Sequence, residues 1–224
     1  MITDKEYLNK ELQICKKTID EAKLPTWDEL PKLELYMDQV VMLLNEYLGY
    51  ISEMNPDEKT VTSSMINNYV KMKIIPAPNK KKYSRIHLSR LIILCSLKKS
   101  LSISTVFKLL PESEDEKENQ KVYDAFVKSR REAINNNLIL LEREFRAVLN
   151  SDDITQIGDM ITRMAVVTDL HKMFTEKFAG IVFENKQPEK SEKSEKIKEK
   201  SDKKAEKTDK NKEKSDKNKE KNKK

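Results

Sequence analysis

The chain has 224 residues and a formal net charge of +6, but residues 186–224 hold 17 Lys against 10 Asp and Glu, leaving 27 basic and 28 acidic residues before them. The basic character is therefore a property of the C-terminal stretch, and the rest is near neutral. Two cysteines without a C-x-x-C pairing exclude a disulfide scaffold, the apolar run Leu91 to Leu94 is far too short to span a membrane, and the opening MITDKEYL lacks a secretory core, so the expected location is cytoplasmic.

Three glycines in the whole chain, with repeated 3.6-residue periodicity, point to an all-α body. Thr3 and Glu6 have capping-box spacing and open a first helix with the stripe Leu8, Leu12, Cys15 and Ile19. Thr26 and Glu29 repeat that spacing, with Trp27 stapling the entry of a second helix. Its apolar face runs through Leu33, Tyr36, Met37, Val40, Val41, Leu44, Tyr47 and Leu48 and stops at Gly49. Residues 1–59 thus read as N-terminal helices packing on the core.

From Thr60 to Pro111 there is no Asp or Glu, while ten cations stand in the same run: Lys71, Lys73, Lys80, Lys81, Lys82, Arg85, Arg90, Lys98, Lys99 and Lys108. Sign asymmetry of that length points to a polyanionic partner. Thr62 or Ser63 caps a short helix with Met65, Ile66, Tyr69 and Val70 inside. Ser64, Asn67, Asn68 and Lys71, at i, i+3, i+4 and i+7, share the opposite face. Pro76, Pro78 and Asn79 turn the chain, and Lys80, Lys81 and Lys82 come directly after the turn. Ser84 caps a helix that buries Leu88, Leu91, Ile92 and Cys95. A last short helix places Ile103, Val106, Phe107 and Leu110 on one side before Pro111.

This succession of helix, turn, lysine-tipped loop, helix and short helix resembles the MerR-type winged helix-turn-helix over about residues 62–110. SSMINNYVKMKIIPAP is similar to that family's second helix and exit, and YSRIHLSRL with SLKKSLSISTVFKLL to its next two helices. Tyr83, Leu88, Arg90 and Leu91 match its tyrosine and leucine-x-arginine-leucine pattern. Asn67, Asn68 and Tyr69 stand where an arginine and a tyrosine pair are usual, and Lys73 stands in place of the glycine before the wing. A second resemblance is carried by LPTWDELPKLELYMDQVVMLLNEYLG joined to TSSMINNYVKMKIIPAP. Over about Leu24 to Leu149 the chain resembles an uncharacterised bacterial family, domain of unknown function eighteen thirty-six, which brings no established activity.

The MerR resemblance implies an all-α, MerR-like winged helix-turn-helix core that binds double-stranded DNA, and the residue chemistry agrees with it. Asn pairs bidentately with adenine, whereas Ser and Lys serve phosphates or guanine. Lysines on a protruding turn suit phosphate contacts that position without reading sequence. The candidate contact set is Ser63, Ser64, Asn67, Asn68, Tyr69, Lys71, Lys73, Lys80, Lys81, Lys82, Tyr83 and Arg85. The alternative is a helical adaptor whose basic face docks an acidic protein. RNA binding would call for exposed aromatic pairs for base stacking, which the chain lacks. With no glycine-rich phosphate loop, no metal-ligand cluster and no nucleophile beside a base, the expectation is a non-enzyme without cofactor, metal or identifiable small-molecule effector.

After the acidic connector PESEDEKENQ, a long helix from Lys121 to Leu149 repeats Val127, Ile134, Leu141 and Val148 every seven residues, with Leu138 and Phe145 in the alternate seam. Ser151, Asp152 and Asp153 cap another helix with the stripe Ile154, Ile157, Ile161, Met164, Thr168 and His171. Two arrangements stay open: a hairpin packed within one chain, or a homodimer seam through 121–149. Neither His171 nor His87 has the Cys or His companions of a metal site. Residues 186–224 alternate lysine with Ser, Asp, Glu or Asn and are expected to be a disordered, solubilising tail. The expected organisation is therefore 1–59, a basic module 60–111, a helical segment 112–185, and the tail.

Overall fold

The fold is built around one helix that is buried on every side. In the computed structural model, which describes residues 5–54, 61–151, 153 and 155–184, α5 (Arg85–Leu97) buries every residue from His87 to Cys95. Its sequence, RIHLSRLIILCSL, has no polar stripe, as a helix surrounded by protein should have none. Around it in chain order lie α1 (Lys5–Glu21), β1 (Leu35–Tyr36), α2 (Met37–Leu48), α3 (Tyr50–Met54), α4 (Ser63–Lys71), β2 (Lys82–Tyr83), α6 (Ile103–Leu109), α7 (Glu116–Leu149) and α8 (Thr155–Val182). The described residues are all-α apart from the two-residue strands, which pair antiparallel with Leu35 opposite Tyr83 and Tyr36 opposite Lys82.

α5 packs against α7, α2 and α6. Leu44, Ile66, Ile74, Ile75, Leu88, Leu91, Ile92 and Leu94 are all but sealed from solvent, each contributing roughly 1.5–3 kcal/mol by burial. Trp27 closes one side. Its ring meets Tyr123 of α7 edge-on at 6.2 Å, its backbone N–H donates to Asp124 Oδ1 at 3.3 Å, and the Tyr123 hydroxyl donates to the Pro25 carbonyl at 2.8 Å. Asn45 fastens the entry to α4, accepting from the Val61 N–H at 2.8 Å and donating to its carbonyl at 3.0 Å.

Three expectations need correction. Thr26 and Glu29 do bond, N–H to Oε2 at 2.7 Å and Oγ1 to Oε2 at 2.9 Å, but they close a single turn rather than opening a helix. Pro31 comes at once, and the chain then extends to pair with β2, so α2 begins only at Met37. Leu33 and Tyr36 consequently lie outside its apolar face, 80% and 56% exposed. α2 does end at Leu48 with Gly49 as its C-cap, though at φ −57° and ψ −34° rather than in a left-handed turn, and α3 starts at the next residue.

The third correction concerns the acidic connector, which is folded. Asp115 caps α7 by accepting from the Glu118 N–H at 2.9 Å, so the helix starts five residues before Lys121. Glu116 and Glu118 then occupy the first turn, where the helix dipole favours carboxylates. Beneath them the buried Arg90 donates from Nε to Asn119 Oδ1 at 2.8 Å and from Nη2 to the Ser113 carbonyl, and Asn119 in turn donates to the carbonyls of Ser113 and Asp115. The connector is thus wrapped around a cation of the basic run.

α7 packs on α1, with Lys16 Nζ 3.0 Å from Glu142, and Val127 and Val148 are buried within the chain. α8 returns to α6, where Glu176 accepts from the Ser102 N–H at 2.7 Å and from the Thr105 hydroxyl. α7 and α8 also touch each other within the chain. Among the described residues, no helix is long and apolar enough to cross a membrane. The expected cap at Thr3, the start of the acid-free run at Thr60, Asp152, Ile154 and the tail 186–224 lie outside the described residues.

Candidate functional site

α4 begins with Thr62, whose Oγ1 accepts from the Met65 N–H at 3.3 Å, and no acid occupies its first turn. Ile66 and Tyr69 turn into the core. Ser64, Asn67, Asn68 and Lys71 are exposed together on the outer face, with Ser63 half-buried at its edge. This is the short, carboxylate-free amide face that the spacing indicates.

The exit from α4 is unusual in its residue choice. Met72 donates to the Asn68 carbonyl at 2.9 Å and Ile74 to the Tyr69 carbonyl at 3.0 Å, which ends the helix. Lys73 between them takes φ 57°, a left-handed conformation that glycine or asparagine ordinarily supplies. Six residues on, the Lys82 N–H donates to the Asn79 carbonyl at 2.8 Å and closes a hairpin whose two central residues are Lys80 (φ 46°) and Lys81 (φ 66°). Two positive φ angles in succession are the requirement of a type I′ turn, for which Asn-Gly is the favoured pair. Here lysine fills both places, and both side chains are exposed.

The hairpin is anchored by its strand. β2 pairs with β1, and Lys82 Nζ stands 5.5 Å from the centre of the Tyr36 ring. Tyr36 is therefore an exposed aromatic beside the lysine tip. Its apolar spacing assigns it to the buried face of a helix; Pro31, taken as a helix stop, is the signal that points the other way. Glu34 and Asp38 flank β1 and are the carboxylates next to this strand.

Three members of the candidate contact set are not on the surface as expected. Tyr69 and Tyr83 are buried, and burial pushes their hydroxyl pKa values up, that of Tyr69 to about 12. Arg85 is a clamp at the edge of the core: Nη2 donates to the Leu30 carbonyl at 3.2 Å and the guanidinium lies 5.4 Å from the Trp27 ring centre. The periodicity that places Tyr69 inside is legible, but a tyrosine beside two asparagines reads as part of their face. Arg90 is likewise buried rather than presented.

His87 lies under the hairpin. Its ring meets Tyr83 edge-on at 5.4 Å, and Nδ1 accepts from the Ser84 N–H at 3.0 Å, so the proton sits on Nε2. Burial holds its pKa below the usual 6.5, outweighing the Ala77 carbonyl and the Glu114 charge that favour the cation. A depressed value means that the neutral ring's contribution to stability is complete above pH ~6.5 and is lost as pH falls toward the folded-state pKa. Thermal melts between pH 7.5 and 5 should show this loss, and His87→Gln, which keeps an acceptor for the Ser84 N–H, should flatten it. An unchanged slope in that variant would assign the loss to other groups.

Residues 25–126 match the model of a family described as Domain of unknown function (DUF1836). The buried core cluster runs from Leu24 to Val127, so the match coincides with the part of the chain organised around α5. Comparison with curated proteins finds no match, and neither does comparison with solved structures.

Proposed function

We propose that this is a cytoplasmic, non-enzymatic DNA-binding protein that acts as a transcriptional regulator. α4 reads base edges, and the Asn79–Lys82 hairpin holds phosphates in the manner of the wing of a MerR-like winged helix-turn-helix. The observation that carries the reading is the hairpin tip. Lys80 and Lys81 both stand in left-handed backbone conformations that cost a side chain roughly 1–2 kcal/mol each. A turn under selection for stability alone would use glycine there. Lysine at both places, in a run of 52 residues without a carboxylate, indicates selection for charge at a protruding point. Asn67, Asn68 and Ser64 on α4 then supply the small donors and acceptors that base edges require.

The trade between stability and binding is testable at one residue. Lys81→Gly should raise stability by about 0.5–1 kcal/mol, the left-handed penalty less the extra unfolded-state freedom of glycine, while weakening binding to DNA. Urea titration and a fluorescence binding assay read the two effects. The function itself is tested by selecting bound fragments from a random duplex library. Recovery of a shared motif supports the reading. Absence of binding at about 100 mM salt, with an acidic protein captured through the same lysines, would replace it with a docking role.

A further inference from the structure

We propose that the outer face of α8 is covered by the same face of a second copy of this chain, so that the protein is a dimer joined through α8. α8 is held within the chain toward its two ends: Met160 and Ala179 are buried, and Glu176 is bonded to Ser102 and Thr105. One face carries Val166, Val167, Leu170, Met173, Phe174, Phe178 and Ile181, each between 42% and 62% exposed. Val167, Phe174 and Ile181 are seven residues apart with Leu170 in the alternate position, the spacing of a helix–helix seam. Phe174 and Phe178 stack with centroids 6.2 Å apart and line an apolar groove beside Leu109 and Val182. An apolar face of this length exceeds what α8 uses to pack in its own chain, where Met160 and Ala179 are its buried residues.

The size of this face matches a subunit interface. Seven large side chains about half exposed amount to on the order of 700 Å², close to the ~800 Å² per partner of a standard interface and above the ~300–600 Å² of the largest patch on a typical monomer. The two longer segments outside the described residues lack the composition to cover it. Residues 186–224 offer only Ile197 and Ala205 besides one proline, and 55–60 read NPDEKT. An anionic bilayer is a poor match, because α8 has no excess of cations: Asp159, Asp169 and Glu176 balance Arg163, Lys172 and Lys177.

A second copy is complementary in both shape and charge. Two α8 helices running antiparallel, centred between Met173 and Phe174, set Val166 against Ile181 of the partner subunit and Arg163 against Glu184 of the partner subunit. The two-fold axis repeats each contact. The seven-residue pattern of α7 is partly used within the chain, where Val127 and Val148 are buried, which leaves α8 as the free seam.

Sedimentation equilibrium of the full chain should give twice the 26.2 kDa chain mass at concentrations above about 10 µM. Leu170→Glu and Phe174→Glu should each raise the dimer dissociation constant at least about 30-fold, as loss of an interface hot spot does. Ile139→Glu, at an exposed position on α7, should leave the dimer intact. Arg163→Glu should weaken association, and adding Glu184→Arg should restore it, which tests the antiparallel register and does so even where a stripe variant unfolds. A monomeric wild type at about 100 µM, or a dimer unmoved by both stripe variants, overturns the proposal. Because mass is read without nucleic acid, the outcome is independent of whether DNA is the ligand.

Discussion

Replacing Lys80, Lys81 and Lys82 together with Ala should weaken binding to every DNA sequence alike and flatten its salt dependence. Removing one phosphate contact lowers the log–log slope by about 0.9, so removing three lowers it by about 2.7. Between 50 and 200 mM salt that slope corresponds to a factor of about 40 in affinity, which a simple titration resolves. Replacing Asn67 and Asn68 with Ala should act oppositely. Neither is charged, so non-specific affinity and slope should hold, while discrimination at particular base pairs falls by roughly 1–3 kcal/mol for each good pairing. One salt series on the two variants therefore separates positioning from reading. Equal effects of both variants on all sequences would place α4 outside the groove.

The second large effect concerns stability. Arg90→Met should destabilise the fold by about 2–4 kcal/mol, because the Asn119 amide oxygen loses its donor in a buried place and the Ser113 carbonyl loses one of its two. Burial itself disfavours the cation, holding the Arg90 pKa below its usual value, and the relief of that cost is why the loss is not larger. Arg90→Lys should not rescue, since one ammonium cannot reproduce the two-pronged donation from Nε and Nη2. Urea titration reads both. Of the ten cations in the basic run, this one should leave the DNA salt slope untouched in any variant that still folds. A fall in slope with Arg90→Met at full folding would mean that the side chain reaches the ligand.

The helical elements are legible where a stripe and a cap agree. Thr62 with the Ile66–Tyr69 side and Ser84 with α5 are both set by local spacing. The strand at Leu35–Tyr36 is not legible, because its paired residues lie 46 and 48 positions later in the sequence and two residues carry no period. The early start of α7 is hidden for a different reason. Glu, Asp and Ser in PESEDEKENQ read as a solvated connector, and only Arg90, brought from α5, makes their order visible. On the candidate site, the exposed amide face of α4 can be read from its i, i+3, i+4, i+7 spacing. The positive φ angles of Lys73, Lys80 and Lys81 cannot, since each position would ordinarily signal itself with glycine. The apolar outer face of α8 escapes because an almost continuously apolar helix can be phased more than one way. Ile157, Ile161 and Met164 suggest one stripe, and Val167, Leu170 and Phe174 belong to another.

The pairing of β1 with β2 has a practical consequence for anyone shortening the chain. The lysine hairpin looks separable, since the acid-free run begins at Thr60, but one of its two strands is anchored to residues 35–36 and its base leans on Trp27 through Arg85. A fragment starting at Thr60 would bare the outer edge of Lys82–Tyr83, an open template for pairing with another molecule, and would uncover the Tyr123 ring. Such a piece would precipitate rather than report on binding. The shortest useful cut begins ahead of Leu24 and ends beyond Val127, so that the tip is delivered together with the frame that aims it.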